Sequence, residues 1–254
     1  GFLSCDEFQV EVGTASLTLG GKATSSGKAV SQKACLKLLA GVLKFNTSLR
    51  SLCLAETGFD GAAAGFFSAA LRANKDLEHL DLSRNPLVDA EQYDIAAISK
   101  IAKAVETHPA LLTINVDGRP LPVTELRGGD GAAEMLEFID WQLGPTAGVL
   151  MGTLVSSNRL LTNLNLRSNK LGTVGAEAMT NGLQHSPLKA LNLSTSGLGD
   201  GLSLKGFSTS VSRRLGWLME LRMDDNGLTA GADELAPLCM LRNIRTLSLE
   251  KNQL

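Results

Sequence analysis

One eleven-residue phrase, L-x-x-L-x-L-x-x-N-x-L, returns along nearly the whole chain and decides what it can fold into. It is clearest at Leu77-Leu80-Leu82-Asn85-Leu87, at Leu161-Leu164-Leu166-Asn169-Leu171 and at Leu218-Leu221-Met223-Asn226-Leu228, with the apolar residues at identical offsets. The central L-x-L supplies a short strand that turns at the Asn. The Asn amide can bond the backbone of a neighbouring coil, and a return segment completes one solenoid turn. Each coil then buries its leucines only against its neighbours. Starts at Leu49, Leu77, Leu111, Ala133, Leu161, Leu188, Leu218 and Ile244 are separated by 28, 34, 22, 28, 27, 30 and 26 residues. They predict parallel strands within 49–54, 77–82, 111–116, 133–138, 161–166, 188–193, 218–223 and 244–249.

Between the phrases, Gly61 to Leu71 and Gly175 to Met179 carry small and apolar residues at helical spacing rather than alternation, so the returns read as α-helices. A strand-plus-helix repeat of about 28 residues resembles the leucine-rich repeat proteins of the ribonuclease-inhibitor-like class, over residues 14 to 254. The resemblance implies a right-handed α/β horseshoe, with parallel strands on the concave face and helices on the convex face. Relatives of that class include NOD-like receptor sensor regions, Ran GTPase-activating proteins, and axonemal and cytoskeletal scaffold subunits. It therefore implies a protein-binding scaffold or a regulatory subunit of a larger assembly, with a GTPase regulator or a NOD-like sensor region as alternatives. A GTPase regulator of the Ran type typically ends in a strongly acidic tail, which this sequence lacks, and a NOD-like sensor would need a nucleotide-binding domain upstream of Gly1. Such a fold hosts many functions, so the site must carry the argument.

The departures from the phrase are informative. The Asn position holds Thr57, Arg119, Trp141 and Ser196 in four copies, and Arg119 and Trp141 stand only 22 residues apart. Pro120 to Gly131 holds two prolines and a glycine cluster and leaves too little chain for a return helix, so an extended crossing is expected there. The preceding return, Asp89 to Pro109, is six residues longer than the norm, and Ile95, Ile98, Ile101, Ala102 and Val105 predict one long helix. The 254 residues read as one solenoid domain, with a degenerate first repeat in 1–48. The chain starts at Gly1 rather than Met and stops within a repeat phrase, so it reads as part of a longer product truncated at its C-terminus. Its last coil, with Ile244, Leu247, Leu249 and Leu254, calls for cover by further polypeptide or by a partner.

Net charge is −2, and no polyanion-binding surface stands out, which argues against nucleic acid as a partner. The longest apolar run, Thr146 to Val155, is short of the roughly 20 residues that cross a bilayer and is interrupted by glycine. Cys5, Cys35, Cys53 and Cys239 lack paired spacing, and cysteine-rich caps are missing, so reduced thiols in a cytoplasmic protein are expected, and the resemblance admits a cytoskeletal or axonemal setting.

No catalytic or cofactor motif competes. Gly21 to Lys28 resembles a phosphate loop but has five residues between its glycines, and Ala29 follows the lysine where a magnesium-binding hydroxyl would be needed. His79, His108 and His185 lack second ligands at metal spacing. Neither cofactor, metal nor small-molecule substrate is expected, and no enzyme activity.

The strand face is the candidate site, because alternate strand residues point to opposite sides. One row reads Cys53, Asp81, Asn115, Glu137, Asn165, Asn192, Arg222, Ser248, and the next reads Ala55, Ser83, Asp117, Ile139, Arg167, Ser194, Asp224, Glu250. Asp81, Asp117 and Glu137 form an acidic patch with Arg167 beside it, and Arg222 stands near Asp224, Asp225 and Glu250. These residues are the expected protein-docking set, suited to partly basic partners. An open face gives little desolvation, so Asp117 and Glu137 on adjacent strands make a poor catalytic dyad. Trp141, in an Asn slot, and Trp217, at a helix-to-strand join, are expected to be packed rather than exposed.

Overall fold

The computed structural model describes residues 2–5, 8–11, 15–19, 28–88, 95–129, 132–199, 204–229 and 232–254. They fall into two compact units, residues 1–123 and 124–254. The phosphate-loop-like turn at 21–27 and the start of the long return at 89–94 lie outside the described residues.

The first unit runs β1 (Phe2–Cys5), β2 (Phe8–Glu11), β3 (Ser16–Thr18), α1 (Lys28–Leu43), β4 (Ser51–Cys53), α2 (Gly61–Ala73), β5 (His79–Asp81), α3 (Ala96–Glu106), β6 (Thr113–Asn115) and β7 (Pro120–Pro122). Strands β3 to β6 lie side by side in parallel, with Leu17, Leu52, Leu80 and Ile114 in register. β1 and β2 form a separate antiparallel pair, which the sequence reading had absorbed into a degenerate first repeat. After the short helix α4 (Val123–Arg127), the second unit runs β8 (Met135–Glu137), α5 (Pro145–Val155), β9 (Asn163–Asn165), α6 (Gly172–Gly182), β10 (Ala190–Asn192), α7 (Lys205–Arg214), β11 (Glu220–Arg222), α8 (Ala232–Leu235) and β12 (Thr246–Ser248). Strands β8 to β12 are parallel, with Leu136, Leu164, Leu191, Leu221 and Leu247 in register. Each expected strand segment contains one observed strand, at its centre. This is an α/β solenoid of strand–helix repeats.

The repeat leucines build the core, as the phrase requires. In unit one Leu49, Leu52, Leu54, Leu77, Leu80, Leu82 and Leu87 are buried, and in unit two Leu161, Leu164, Leu166, Leu188, Leu191, Leu193 and Leu218 are buried. At about 25 cal/mol per Å² of apolar surface removed from water, these columns dominate the stabilisation of each coil. The last coil differs: Leu247 is 40% exposed, whereas its register partner Leu221 is fully buried.

The Asn position works as the phrase predicts. Asn85 Nδ2 donates to the Leu54 carbonyl of the preceding coil at 2.8 Å, and its Oδ1 accepts from Thr57 and Phe59 N–H. Asn169 bonds Phe138 O and Leu143 N–H in the same manner, Asn226 bonds Leu193 O and Ser196 N–H, and Asn252 bonds Met223 O and Asn226 N–H. In each unit a second polar position precedes the phrase. Asn46, Asn74, His108 and Asn158 each accept the N–H of the leucine three residues on, Leu49, Leu77, Leu111 and Leu161, at 2.6, 2.8, 3.1 and 3.0 Å. Three of the four share the spacing N-x-x-L, and His108 takes the place of Asn in the other.

The centre departs from expectation. After Asn115 the chain reverses at Gly118, whose φ is +109°, and β7 pairs antiparallel with β6. Pro120 and Pro122 cannot donate to a further strand, and β7 is the last member of its sheet. The 120–131 segment is therefore not a plain extended crossing, because Val123 to Arg127 adds a helix of about one and a half turns. Val123 and Leu126, three residues apart on that helix, are both buried. The long helix expected before it is also corrected: α3 has 11 residues, fewer than the 13 of α2, and uses Ile98, Ile101, Ala102 and Val105 on its buried face. Ile95 lies just before its first turn.

Helix α5 carries no charged residue and is buried on almost every side, which accounts for the apolar run at 146–155. It lies against α6 with backbones touching: a Cβ on Gly152 would come 2.3 Å from Ala178 O, and one on Gly148 would come 2.6 Å from Gly175 Cα. Among the described residues no helix is long and apolar enough to cross a membrane.

Candidate functional site

Strand pleating fixes which side chains meet solvent on the strand face. In unit two the parallel register sets Glu137 beside Asn165, Asn165 beside Asn192, Asn192 beside Arg222 and Arg222 beside Ser248. Adjacent members of this row are about 4.8 Å apart along the sheet. Beside it runs a row the sequence reading passed over: Met135, Asn163, Ala190, Glu220 and Thr246. Carrying the period of two backwards along each strand would have found it. Met135, Glu137, Asn163, Asn165, Ala190, Asn192, Glu220 and Arg222 line a shallow depression of about 190 Å³.

The Asx residues of the row have a structural task as well as a surface one. Asn165 Oδ1 accepts Arg167 N–H at 3.2 Å, and Asn192 Oδ1 accepts Ser194 N–H at 3.0 Å. Asp81 does the same for Ser83 N–H at 2.8 Å in unit one. These Asx turns end the strands and engage the side-chain oxygen of each residue. Asn165 Nδ2 reaches the Glu137 carboxylate at 3.4 Å.

The residues singled out from the sequence fare differently. Asp81 lies on β5, where Asn115 Nδ2 donates to it at 3.2 Å. Asp117 is not on a strand: it sits in the β6–β7 reversal. Glu137 is on β8, a strand of the other sheet, so the picture of Asp117 and Glu137 on adjacent parallel strands does not hold. Arg167 is exposed just past β9. Arg222 is exposed and ion-paired through Nε to Glu220, whose hydrogen bond and charge raise its pKa, with smaller help from Asp224 and Glu250.

Asp224 is held by the fold. Burial pushes its pKa up. Hydrogen bonds from Ser248 Oγ, Glu250 N–H and Ser194 Oγ, together with the Arg222 charge, outweigh that and leave the pKa lowered. Glu250 N–H donates at 2.8 Å and Ser194 Oγ at 3.3 Å, so Asp224 ties three consecutive coils together.

The tryptophans split. Trp141 is half-buried and stacks edge-to-face on Phe138 at 5.0 Å, as a packing residue in an Asn slot would. Trp217, expected to be buried, is 70% exposed. Leu215 and Leu218 take the inward positions, and the turn closed by Leu218 N–H on Leu215 O puts Trp217 outside.

On the strand face of unit one, His79 Nδ1 lies 2.9 Å from Thr113 Oγ1. Among the described residues no group of three His, Cys, Asp or Glu side chains could hold a metal ion. The arrangement offers amide, carboxylate and guanidinium groups on a stiff sheet, which suits hydrogen-bonded recognition of another chain.

Comparison with known proteins agrees with the repeats. The family model described as Leucine Rich repeat matches residues 73–91 and 157–179, which contain β5 and β9 with their flanking turns. No curated protein sequence matches the chain. Among solved structures it is similar to leiomodin-1 actin-binding site 2, at 19% identity with a TM-score of 0.38, over 67% of this chain and 79% of that one. The chain carries leucine-rich repeats and folds as an α/β leucine-rich repeat solenoid.

Proposed function

We propose that this protein binds other proteins through the polar strand face of its repeats, as a scaffold or regulatory subunit of a larger assembly. The observation that carries the reading is the in-register row Glu137, Asn165, Asn192 and Arg222, flanked by Met135, Asn163 and Glu220. These side chains sit on hydrogen-bonded strands, so little conformational entropy is lost when a partner docks. Glu137, Arg167 and Arg222 in unit two and Asp81 and Asp117 in unit one are the charged contacts. Asp224 acts behind them as a positioning residue that keeps β10, β11 and β12 aligned.

The test is charge reversal against a purified partner. Glu137→Lys with Arg222→Glu in unit two, and Asp81→Lys with Asp117→Lys in unit one, are measured separately at low and moderate salt. Surface charges act chiefly on association and specificity, so at least one pair should weaken binding by about tenfold, with a larger effect at low salt; the melting temperature should be unchanged for the unit-two pair and slightly lowered for the unit-one pair, because Asp81→Lys also removes the acceptor of Ser83 N–H. Unchanged affinity for both pairs at both salt concentrations would remove the strand face from the site.

A further inference from the structure

Helix α1 carries two apolar stripes. Cys35, Leu36, Leu39, Ala40 and Leu43 face the core and are buried. The other stripe, Ala34, Leu38, Gly41, Val42 and Phe45, follows the i, i+4, i+7, i+8, i+11 spacing of one helix face and lines a shallow groove with Lys37. Leu38 is 42% exposed and Phe45 85%.

Phe45 is held outward by a fixed backbone. Its N–H and that of Asn46 both donate to Val42 O at 3.0 Å, and Asn74 Nδ2 donates to Leu43 O at 2.8 Å and to Asn46 O at 2.9 Å. A phenyl ring presented to water from such a turn is a preformed anchor. Gly41 lies between Leu38 and Phe45 with nothing within 4 Å of where its Cβ would be, so another backbone can approach closely there.

The sequence that carries this stripe is one-sided in charge. Residues 12–55 contain Lys22, Lys28, Lys33, Lys37, Lys44 and Arg50 and no Asp or Glu, in a chain whose net charge is −2. Arg50 is paired to Asp76 and Glu78. Lys37 and Lys44 are exposed beside the stripe.

We infer that the outward face of α1 is a second docking surface, and that its occupant is an acidic amphipathic helix of a partner protein. A ridge of apolar side chains on that helix would seat over Gly41, between Leu38 and Phe45, while carboxylates on its flanks meet Lys37 and Lys44. A lipid surface fits less well, because the opposite face of α1 is committed to the core and the exposed stripe has a notch at Gly41.

The experiment uses the 254-residue chain and a fluorescein-labelled model peptide of about 18 residues, with leucines at i, i+3, i+4, i+7 and i+11 and glutamates elsewhere, the length an amphipathic helix of this kind needs. A lysine-for-glutamate peptide and vesicles of phosphatidylcholine with phosphatidylserine are run in parallel. Anisotropy should report a Kd on the order of 10⁻⁵ M for the acidic peptide. Binding should fall by about tenfold or more for Leu38→Ser with Phe45→Ser, for Lys37→Glu with Lys44→Glu, and for the lysine peptide, with unfolding midpoints unchanged. No saturation by the acidic peptide at millimolar concentration, or equal binding by all variants, would overturn the inference. So would vesicle capture that depends on Leu38 and Phe45 in the absence of peptide binding, which would make the surface a membrane-contact face.

Discussion

Individual residues differ in how far they hold the coils together: the buried Asn column carries more of that task than the half-buried Asx residues of the strand face. Asn226 is buried and satisfies Ser196 N–H, Leu198 N–H and Leu193 O. Asn226→Ala strands these backbone groups in the core, and at about 1–3 kcal/mol per unsatisfied group the loss should reach roughly 3 kcal/mol or more. Asn192→Ala, on the half-buried strand face, should cost about 1 kcal/mol or less. Urea unfolding of both variants checks the ranking, and equal costs would mean that the ladder is not the main fastening. Asp224 gives a pH signature. Its pKa is lowered in the folded protein, so its contribution is fully present above the ordinary aspartate value of about 4 and is lost as pH falls through the lower folded value. The stability difference between the wild type and Asp224→Asn should therefore shrink below about pH 4. A difference that stays constant down to pH 2 would show that the hydrogen bonds do not favour the charged form.

At the scale of elements, the close contact of α5 with α6 is the least forgiving packing in unit two. Gly152→Ala places a methyl 2.3 Å from Ala178 O, a backbone atom that cannot step aside, so α5 and α6 must separate. A loss of about 3 kcal/mol or more is expected. Gly65→Ala in α2 has open space and should instead gain up to about 1 kcal/mol from helix propensity. Comparing their melting temperatures tests this; similar small effects would mean that the helices can part without cost. The strands, the Asn column and the buried leucines were legible because they recur at fixed offsets. The β6–β7 reversal was not, because Asn115 to Leu121 keeps the same apolar offsets whether the chain continues or turns back at Gly118. The Met135, Asn163, Glu220 row was missed although the alternation implies it. Asp224 read as a surface charge because Ser194 and Ser248, which fasten it, lie 30 and 24 residues away in sequence.

Over the whole molecule, both units apply one rule: leucines turn inward, polar side chains, chiefly Asn with Thr57, Ser196 and His108 standing in, close the coils, and polar side chains line the open face of the strands. Charge is distributed unevenly on this plan, with cations alone over residues 12–55 and the net negative charge in the remainder. The two proposed docking surfaces would therefore take partners of different sign. The strand face is the proposed binding face. Site-specific photo-cross-linking tests it most directly, with a benzophenone side chain at Asn163, Asn165 or Asn192 on that face and at Glu177 or Lys205 on the helices as controls, in a complex with a purified partner. The account predicts partner adducts at the three strand positions and none above background at Glu177 and Lys205; adducts confined to the helix positions would contradict it.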